Sequence, residues 1–192
     1  MIRVVVTGSE CTGKTTLAQA LADHFEAPCV PEYVRVFVQE QGRAPAAEEV
    51  ETIARGQIAL EAQYAACGSS LLILDTDLLS TVVYSRHYYG DCPSWVAAEM
   101  SRRAGDLYLL AGIDVPWVAD GRQRDRGHRR EEMQRLFHDA VGDRSLRAVD
   151  VKGSLTDRLR TAIAAVGAVR RTRRSPPDSC PGDVDSRLKD AS

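Results

Sequence analysis

A nine-residue stretch near the N-terminus, GSECTGKTT (Gly8–Thr16), constrains the fold of this chain more than any other part of it. It matches the pattern G-x-x-x-x-G-K-[ST] at every fixed position. A run of β-branched apolar residues precedes it, and residues with helical spacing follow it. In such a loop, glycines let backbone N–H groups converge on a phosphate, and the N-terminus of the next helix adds its positive end. The sequence therefore predicts a strand, a phosphate-binding loop and a helix, in that order.

The residues of this loop are predicted to bind a nucleoside triphosphate, with ATP and Mg²⁺ as the expected cofactors. Lys14 is predicted to reach the β- and γ-phosphates, and Thr15 to offer its hydroxyl to Mg²⁺. The other predicted nucleotide contacts are Gly8, Ser9, Glu10, Cys11, Thr12, Gly13 and Thr16. The side chain of Cys11 is assigned no role, because its backbone alone is expected to matter. The loop does not identify the group that accepts the phosphate.

Strand and helix patterns alternate along the rest of the chain. The predicted strands are Ile2–Thr7, Cys29-Val30, Leu71–Leu74, Asp106–Leu110 and Ala148–Val151. The predicted helices are Lys14–Phe25, Glu32–Gln41, Ala46–Cys67, Leu78–Tyr89, Glu131–Val141 and Ser154–Val166. This alternation implies right-handed crossovers between parallel strands. The predicted fold is an α/β P-loop NTPase, a doubly wound parallel sheet with helices on both faces.

Composition limits the classes of function open to the chain. Its 192 residues are 44% hydrophobic and 27% charged, which is typical of a globular domain. The net charge of −2 and the lack of a long apolar run predict neither a nucleic-acid nor a membrane surface. The five cysteines are scattered without a C-x-x-C pair, which indicates reduced thiols and a cytoplasmic protein.

The C-terminal part differs in composition from the rest. Residues 1–169 are predicted to form one P-loop domain, and residues 170–192 a disordered tail. The tail has few apolar residues, three prolines and a cluster of four arginines, so it cannot bury a core. The alternative is a tail that binds a partner or a nucleic acid.

Acidic residues follow two of the predicted strands, and ligands of an open parallel sheet collect at the carboxyl ends of its strands. Asp75 directly follows Leu71–Leu74, where a carboxylate commonly organises Mg²⁺. Asp77 is predicted to be shared between the site and the N-cap of the next helix. Thr76 stands where many ATP-hydrolysing machines place a glutamate that activates water. It therefore favours transfer to a bound acceptor.

Glu32 follows the second predicted strand and has two interpretations. As a site residue, it accepts the proton of an attacking hydroxyl or holds sugar hydroxyls. As a surface residue, it is a solvated glutamate that a helix N-terminus favours. The residues alone leave both interpretations open.

A polar, arginine-rich segment, residues 112–130, separates the fourth strand from the next helix. Residues 117–130 contain five arginines. Guanidinium groups can stabilise charge on a transferring phosphoryl group, and a mobile loop can exclude water as it closes. This layout predicts a kinase lid in which Arg122 contacts the nucleotide and Arg124 takes part in catalysis. The alternative is a solvated basic loop.

Six segments in sequence order carry a resemblance to a known family. They are GSECTGKTT, VPEYVR, IARGQ, LILDTDLLST, YYGDCPSW and DLYLLAGIDVPWVADG. This set, within residues 1–167, resembles the ribosylnicotinamide kinase domain of the bifunctional NAD-salvage and regulator proteins. The resemblance implies a nucleoside-kinase-like P-loop fold. It also implies transfer of the ATP γ-phosphate to the 5′-hydroxyl of nicotinamide riboside, which gives the mononucleotide.

The resemblance also implies residue roles. It assigns Lys14 and Thr15 to ATP and Mg²⁺. It assigns to the substrate side Glu32, Tyr33, Arg35, Gln57, Asp75 and Asp77. The pyridinium cation of nicotinamide riboside suits an aromatic face, and Trp95 is predicted to contact the substrate. The other aromatic candidates are Tyr33, Tyr84, Tyr88 and Trp117.

The chain departs from the family at two points. In the family, the dipeptide Asp-Gly is usually followed by one residue and then an arginine. In this chain the place of that arginine holds Gln123, with Arg122 and Arg124 on either side. The sequence also holds neither the DNA-binding segment nor the adenylyltransferase domain of the regulators, so both activities are expected to be absent. The prediction is a small-molecule kinase with a nucleoside substrate and no nucleic-acid partner. The alternatives are a kinase of another nucleoside or vitamin, and a P-loop switch or ATPase module.

Overall fold

The fold is built on a five-stranded parallel sheet. The computed structural model describes residues 1–116 and 129–174. The strands are β1 (Ile2–Thr7), β2 (Cys29–Val30), β3 (Leu71–Asp75), β4 (Leu107–Ala111) and β5 (Ala148–Val151). They lie in the order β2-β3-β1-β4-β5, and every neighbouring pair is parallel. The predicted doubly wound α/β sheet is confirmed.

Helices connect these strands. They are α1 (Lys14–Phe25), α2 (Tyr33–Gln41), α3 (Val50–Ala65), α4 (Leu78–Tyr89), α5 (Ser94–Arg102), α6 (Arg130–Gly142) and α7 (Leu155–Arg174). A short 3₁₀ turn, Ala47–Glu49, leads into α3, in place of the first residues of the predicted helix. The last helix runs to Arg174, so the first five residues assigned to the tail are helical. Residues 175–192 lie outside the described ranges, and their disorder stays a prediction.

The sheet buries both of its faces, which explains the β-branched composition of β1. On one face, Val4 and Val6 pack with Leu17 and Leu21 of α1 and with apolar residues of α7. On the other face, Val5 packs in a core that α3, α4, α5 and α6 complete. Because the helices that follow β1 and β3 cover opposite faces, a crevice opens at the carboxyl ends of these two strands.

Helix α5 has no counterpart among the predicted elements. It begins after Pro93 and buries Val96 and Met100, which are four residues apart on one side of the helix. The proline and this spacing were the available signals, but only two of the nine residues are buried, which gives a weak pattern.

Within the described ranges, no helix is both long and apolar enough to cross a membrane.

Candidate functional site

The loop between β1 and α1 has the backbone geometry of an anion-binding concavity. Gly8, Cys11 and Gly13 all have positive φ, at 129°, 54° and 76°. A Cβ atom on Gly8 would lie 2.9 Å from the carbonyl oxygen of Ala111, so only glycine fits there. Left-handed positions in a loop let neighbouring backbone N–H groups converge on an anion. Cys11 therefore contributes a left-handed backbone position, which its residue type did not indicate.

Lys14 is held within this loop. Its Nζ donates a hydrogen bond to the Ser9 carbonyl at 2.7 Å, and the Thr12 hydroxyl donates to the same oxygen at 2.9 Å. Burial lowers the pKa of Lys14, while Glu32 and Asp75 oppose this effect by favouring the charged form. A buried ammonium beside a phosphate-binding turn is available to neutralise phosphate charge.

Thr15 and Asp75 meet where α1 starts and β3 ends. The Thr15 hydroxyl donates to Asp75 Oδ2 at 2.6 Å. The other oxygen, Oδ1, is buried and has no hydrogen-bond partner among the described residues. Magnesium typically binds one or two carboxylates together with substrate phosphates and water. This hydroxyl and the orphaned carboxylate oxygen fit such an ion. In the described ranges no cluster of three or more His, Cys, Asp or Glu forms a separate metal site.

A cavity of about 800 Å³ extends from the phosphate loop. Residues 10–16 form one wall, and α2, α3 and α4 form the others. Its lining includes Glu32, Arg35, Ile53, Gln57, Thr76, Asp77, Ser80, Tyr84, Tyr88 and Tyr89. This volume suits a small-molecule ligand. The structure therefore joins the loop and most of the predicted acceptor residues in one cavity.

Glu32 occupies the N-cap position of α2 and faces this cavity. Its side chain is only 14% exposed, and its Oε2 accepts a hydrogen bond from Arg35 Nε at 2.9 Å. Burial raises the pKa of Glu32, although the positive charges of Lys14 and Arg35 partly oppose the rise. These contacts differ from those of a solvated glutamate at a helix start.

Asp77 is the N-cap of α4, as predicted. Its Oδ1 accepts the Leu79 N–H at 3.0 Å, and its Oδ2 accepts the Tyr108 hydroxyl at 2.7 Å. Burial raises the pKa of Asp77 to about 6, even though the bond from Tyr108 favours the ionised form. Protein groups donate hydrogen bonds to both carboxylate oxygens of Asp77. Its main role is therefore to hold the shape of the cavity wall to which it belongs.

The raised pKa of Asp77 predicts a pH-dependent stability. The carboxyl group binds its proton more tightly in the folded than in the unfolded state, so its contribution is full below pH 3.8 and is lost as the pH rises through about 6. We expect the free energy of unfolding of the wild type, relative to Asp77→Asn, to fall by roughly 2.4 kcal/mol between pH 4 and pH 7.5. Urea unfolding at pH 4 and pH 7.5 measures it, with Asp91→Asn, an exposed carboxylate, as the control. A constant difference would contradict the raised pKa.

Gln57 and Tyr33 form the junction between α3 and α2. Gln57 Oε1 accepts the Tyr33 N–H at 2.9 Å, so this side chain satisfies a free donor at the start of α2. The ring of Tyr33 lies against Gly56, where any Cβ atom would come within 2.2 Å of it. Gln57 lines the cavity, whereas Tyr33 does not. Tyr33 packs against α3 in this arrangement, and its contact with a substrate stays a prediction.

Trp95 lies outside the lining of this cavity, and its contact with the substrate stays a prediction. This residue lies on α5, packs against the core and carries the Arg55 guanidinium 4.4 Å from its ring centroid. Among the described residues that line the cavity, the aromatic rings come from α4, where those of Tyr84 and Tyr88 stack 5.9 Å apart. In the sequence, these two tyrosines lie four residues apart on the helix that Asp77 caps, and this spacing places their rings on the same side of the helix.

Glu61 is a buried residue that supports the site through Gln57, and no motif in the sequence indicates it. It is 1% exposed and accepts hydrogen bonds from Arg3 at 2.8 Å and from Gln57 at 3.4 Å. Arg103 lies 3.5 Å away and adds a second positive charge. These cations come from distant parts of the chain, so no local pattern indicates them. Glu61 thereby fixes the amide of Gln57, which in turn holds the start of α2.

Neutralising Glu61 should destabilise the fold. We expect Glu61→Gln to lower the free energy of unfolding by about 2 kcal/mol, because two partly buried arginines lose their counter-charge. Glu51→Gln is the matched control on the same helix, since its ion pair with Arg55 is exposed on both sides. That variant should change stability by less than about 0.5 kcal/mol. Equal effects in a denaturant titration would exclude a special role for Glu61.

Arg122, Arg124 and Trp117 lie outside the described residues, and their roles stay predictions.

A glycine-rich phosphate loop between the first strand and helix of a 2-3-1-4-5 parallel sheet defines a P-loop nucleotide-binding domain. Within this class, the profile described as AAA domain matches residues 3–158. The chain belongs to this family.

Comparison with relatives supports the resemblance carried by the motifs. The chain is 30% identical over 157 residues to the trifunctional NAD biosynthesis/regulator protein NadR of Escherichia coli (strain K12). The match covers 78% of this chain but 38% of that protein. NadR of Salmonella typhimurium matches with the same identity and coverage. The chain thus spans well under half the length of these relatives.

Solved structures show the same architecture. A crystal structure of NadR in complex with NR superposes with a TM-score of 0.73 at 22% identity, over 88% of this chain and 50% of that one. Thymidylate kinase from Ehrlichia chaffeensis gives a TM-score of 0.64 at 12% identity, over 88% and 98% of the two chains. These likenesses establish a nucleoside-kinase-like fold.

Proposed function

We propose that the protein is an ATP-dependent small-molecule kinase that phosphorylates the 5′-hydroxyl of nicotinamide riboside and yields nicotinamide mononucleotide in NAD salvage. One observation carries the proposal: a single cavity joins the phosphate loop, the largely buried carboxylate of Glu32 and the stacked tyrosines of α4. The NadR relatives support the choice of substrate, since one solved NadR structure contains NR and another contains NAD and AMP-PNP.

The loop residues bind the phosphates of ATP in this mechanism. Backbone N–H groups of the loop and the Lys14 ammonium stabilise the negative charge of the β- and γ-phosphates. The Thr15 hydroxyl and the Asp75 carboxylate would hold Mg²⁺. When bound, the ion neutralises charge on the phosphate oxygens.

Glu32 acts on the acceptor side. The substrate hydroxyl oxygen forms a bond to the γ-phosphorus, the bond from that phosphorus to the β–γ bridging oxygen breaks, and ADP leaves. The hydroxyl proton passes to Glu32, whose ionised form is favoured by Lys14 and Arg35. The raised pKa from burial makes this carboxylate a better proton acceptor than a solvated one.

The tyrosines of α4 suit the cationic part of the proposed substrate. The face of a tyrosine ring attracts a pyridinium cation. Tyr84 and Tyr88 lie with nearly parallel rings, 5° apart, on the wall of the cavity. The Tyr89 hydroxyl donates to the Pro45 carbonyl at 2.5 Å and links α4 to the segment before α3. This wall favours a flat, positively charged ring over a neutral sugar alone.

Thr76 argues against the ATPase alternative. It is 2% exposed and follows Asp75 with a positive φ of 69°. A glutamate that activates water is the residue needed for hydrolysis at this position, and threonine has no carboxylate with which to accept a proton. Transfer to a bound hydroxyl needs no such residue, because Glu32 supplies the base.

A substrate panel tests the proposal directly. The protein is incubated with Mg-ATP and nicotinamide riboside, adenosine, cytidine, thymidine or uridine, and monophosphates are measured by mass spectrometry. We expect nicotinamide mononucleotide as the main product. If only the ordinary nucleosides were phosphorylated, the substrate assignment would be wrong, but the kinase mechanism would still hold. ATP hydrolysis without any monophosphate would overturn the kinase assignment.

The cytoplasmic location stays a prediction of the cysteine pattern.

A further inference from the structure

The carbonyl groups of the phosphate loop are held by specific hydrogen-bond donors. A loop that directs N–H groups toward a ligand turns some carbonyl oxygens away from it, and buried carbonyls need donors. The Ser9 carbonyl receives its bonds from Lys14 and Thr12, within the loop. The carbonyls of Cys11 and Thr12 are instead bound by arginines from the far C-terminal half of the chain.

Arg158 of α7 makes the more extensive of these contacts. It is 3% exposed, and its Nη1 donates to the Thr12 carbonyl at 2.6 Å. Its Nη2 donates to the Gly112 carbonyl at 3.0 Å and to Asp114 Oδ1 at 2.6 Å. Its Nε donates to the Gly153 carbonyl at 3.0 Å. All three nitrogens of the guanidinium are thus bound by protein acceptors.

These acceptors belong to three separate loops at the same edge of the sheet. Thr12 follows β1, Gly112 and Asp114 follow β4, and Gly153 follows β5. The Gly153 N–H also donates to Asp114 Oδ2 at 2.5 Å, so Asp114 closes the arrangement. A planar guanidinium can bind several acceptors in fixed directions, which a lysine ammonium cannot reproduce.

We propose that Arg158 is a positioning residue for the phosphate loop. It fixes the Thr12 peptide from behind and so holds the loop in the shape that binds triphosphate, without touching the nucleotide. Asp114 supports it by orienting the guanidinium. The inference rests on the proposed function only in taking ATP as the ligand of the loop. It predicts an effect on ATP affinity that does not extend to the nucleoside acceptor.

Arg158→Gln is the main test, and Arg160→Gln is its matched control. Arg160 lies on the same helix, is 71% exposed and pairs with Asp157. Calorimetry measures the Kd of AMP-PNP without acceptor and the Kd of nicotinamide riboside without nucleotide. We expect Arg158→Gln to weaken AMP-PNP binding roughly tenfold or more, with nicotinamide riboside affinity changed less than about twofold. Arg160→Gln should change neither affinity.

Two further variants test the proposal even if Arg158→Gln does not fold. Arg158→Lys keeps the charge but not the fork of donors, so AMP-PNP binding should recover only in part. Asp114→Asn should weaken AMP-PNP binding about threefold, and adding it to Arg158→Gln should cause no further loss if the pair acts as a unit. Should Arg158→Gln fail to fold, unchanged AMP-PNP binding by both other variants would overturn the proposal.

Other outcomes separate this inference from a general structural role and from the proposed function. Equal losses of AMP-PNP and nicotinamide riboside affinity, with a lowered Tm, would show that Arg158 merely supports the fold. Wild-type affinities in Arg158→Gln would overturn the proposal outright. A wild-type protein that binds AMP-PNP but forms no monophosphate would contradict the kinase assignment, and the Arg158 comparison would still stand.

Discussion

Lys14→Met should abolish phosphoryl transfer while leaving the fold intact. We expect kcat to fall by about a thousandfold, because the variant loses the buried positive charge that opposes the developing charge on the transferred phosphoryl group. Methionine keeps most of the side-chain volume, and it removes a charge whose burial is unfavourable, as the lowered pKa of Lys14 indicates. Steady-state kinetics with Mg-ATP and nicotinamide riboside measure this loss, and thermal unfolding reports on the fold.

Substrate binding supplies the control for this variant. Lys14 contacts the Ser9 carbonyl and lies at the phosphate end of the cavity, so the Kd of nicotinamide riboside should change by less than about threefold. A kcat within a factor of about ten of the wild type would show that Lys14 has little part in transfer. A large fall in Tm would point to a structural cause.

Asp75→Asn should give the second large loss of activity. We expect kcat to fall by about a hundredfold and the Mg²⁺ concentration for half-maximal rate to rise, since the amide lacks the negative charge that suits the ion. Asparagine keeps one oxygen that can accept the Thr15 hydroxyl, so the local contact survives. Kinetics at several Mg²⁺ concentrations separate the two effects.

Thr15 offers a matched pair of variants for the same contact. Thr15→Ser keeps the hydroxyl and should retain most of the activity, whereas Thr15→Val keeps the shape and should lose it together with the Mg²⁺ response. If Asp75→Asn turned over normally at every Mg²⁺ concentration, the carboxylate would have no role in holding the ion. Equal activity of the two Thr15 variants would lead to the same conclusion for the hydroxyl.

The elements that the sequence predicts best are those with local signals. The structure reproduces the predicted bounds of Ile2–Thr7, Lys14–Phe25, Leu78–Tyr89 and Ala148–Val151. A buried strand, a phosphate loop and a capped helix each carry their pattern within a few residues. Helix α5 lacks such a pattern, and without it the direction of Trp95 could not be inferred.

The acceptor side of the site follows the sequence in part. Glu32, Arg35, Gln57 and Asp77 all line the cavity, as the motifs imply. What the sequence could not indicate is how they are held, because Gln57 depends on Glu61 and through it on Arg3. Partners that lie 58 residues apart leave no periodic trace in a single sequence.

The phosphate loop itself depends on a contact over a much longer separation. Its residues are contiguous near the N-terminus, yet the Thr12 carbonyl is bound by a residue 146 positions later. During synthesis, β1, the loop and α1 leave the ribosome well before Arg158. Such non-local contacts form late because ordering the intervening chain costs entropy. If Arg158 positions the loop as proposed, the motif that is first to be made is among the last parts of the molecule to reach its final shape, and binding of triphosphate would report that the C-terminal helix has docked.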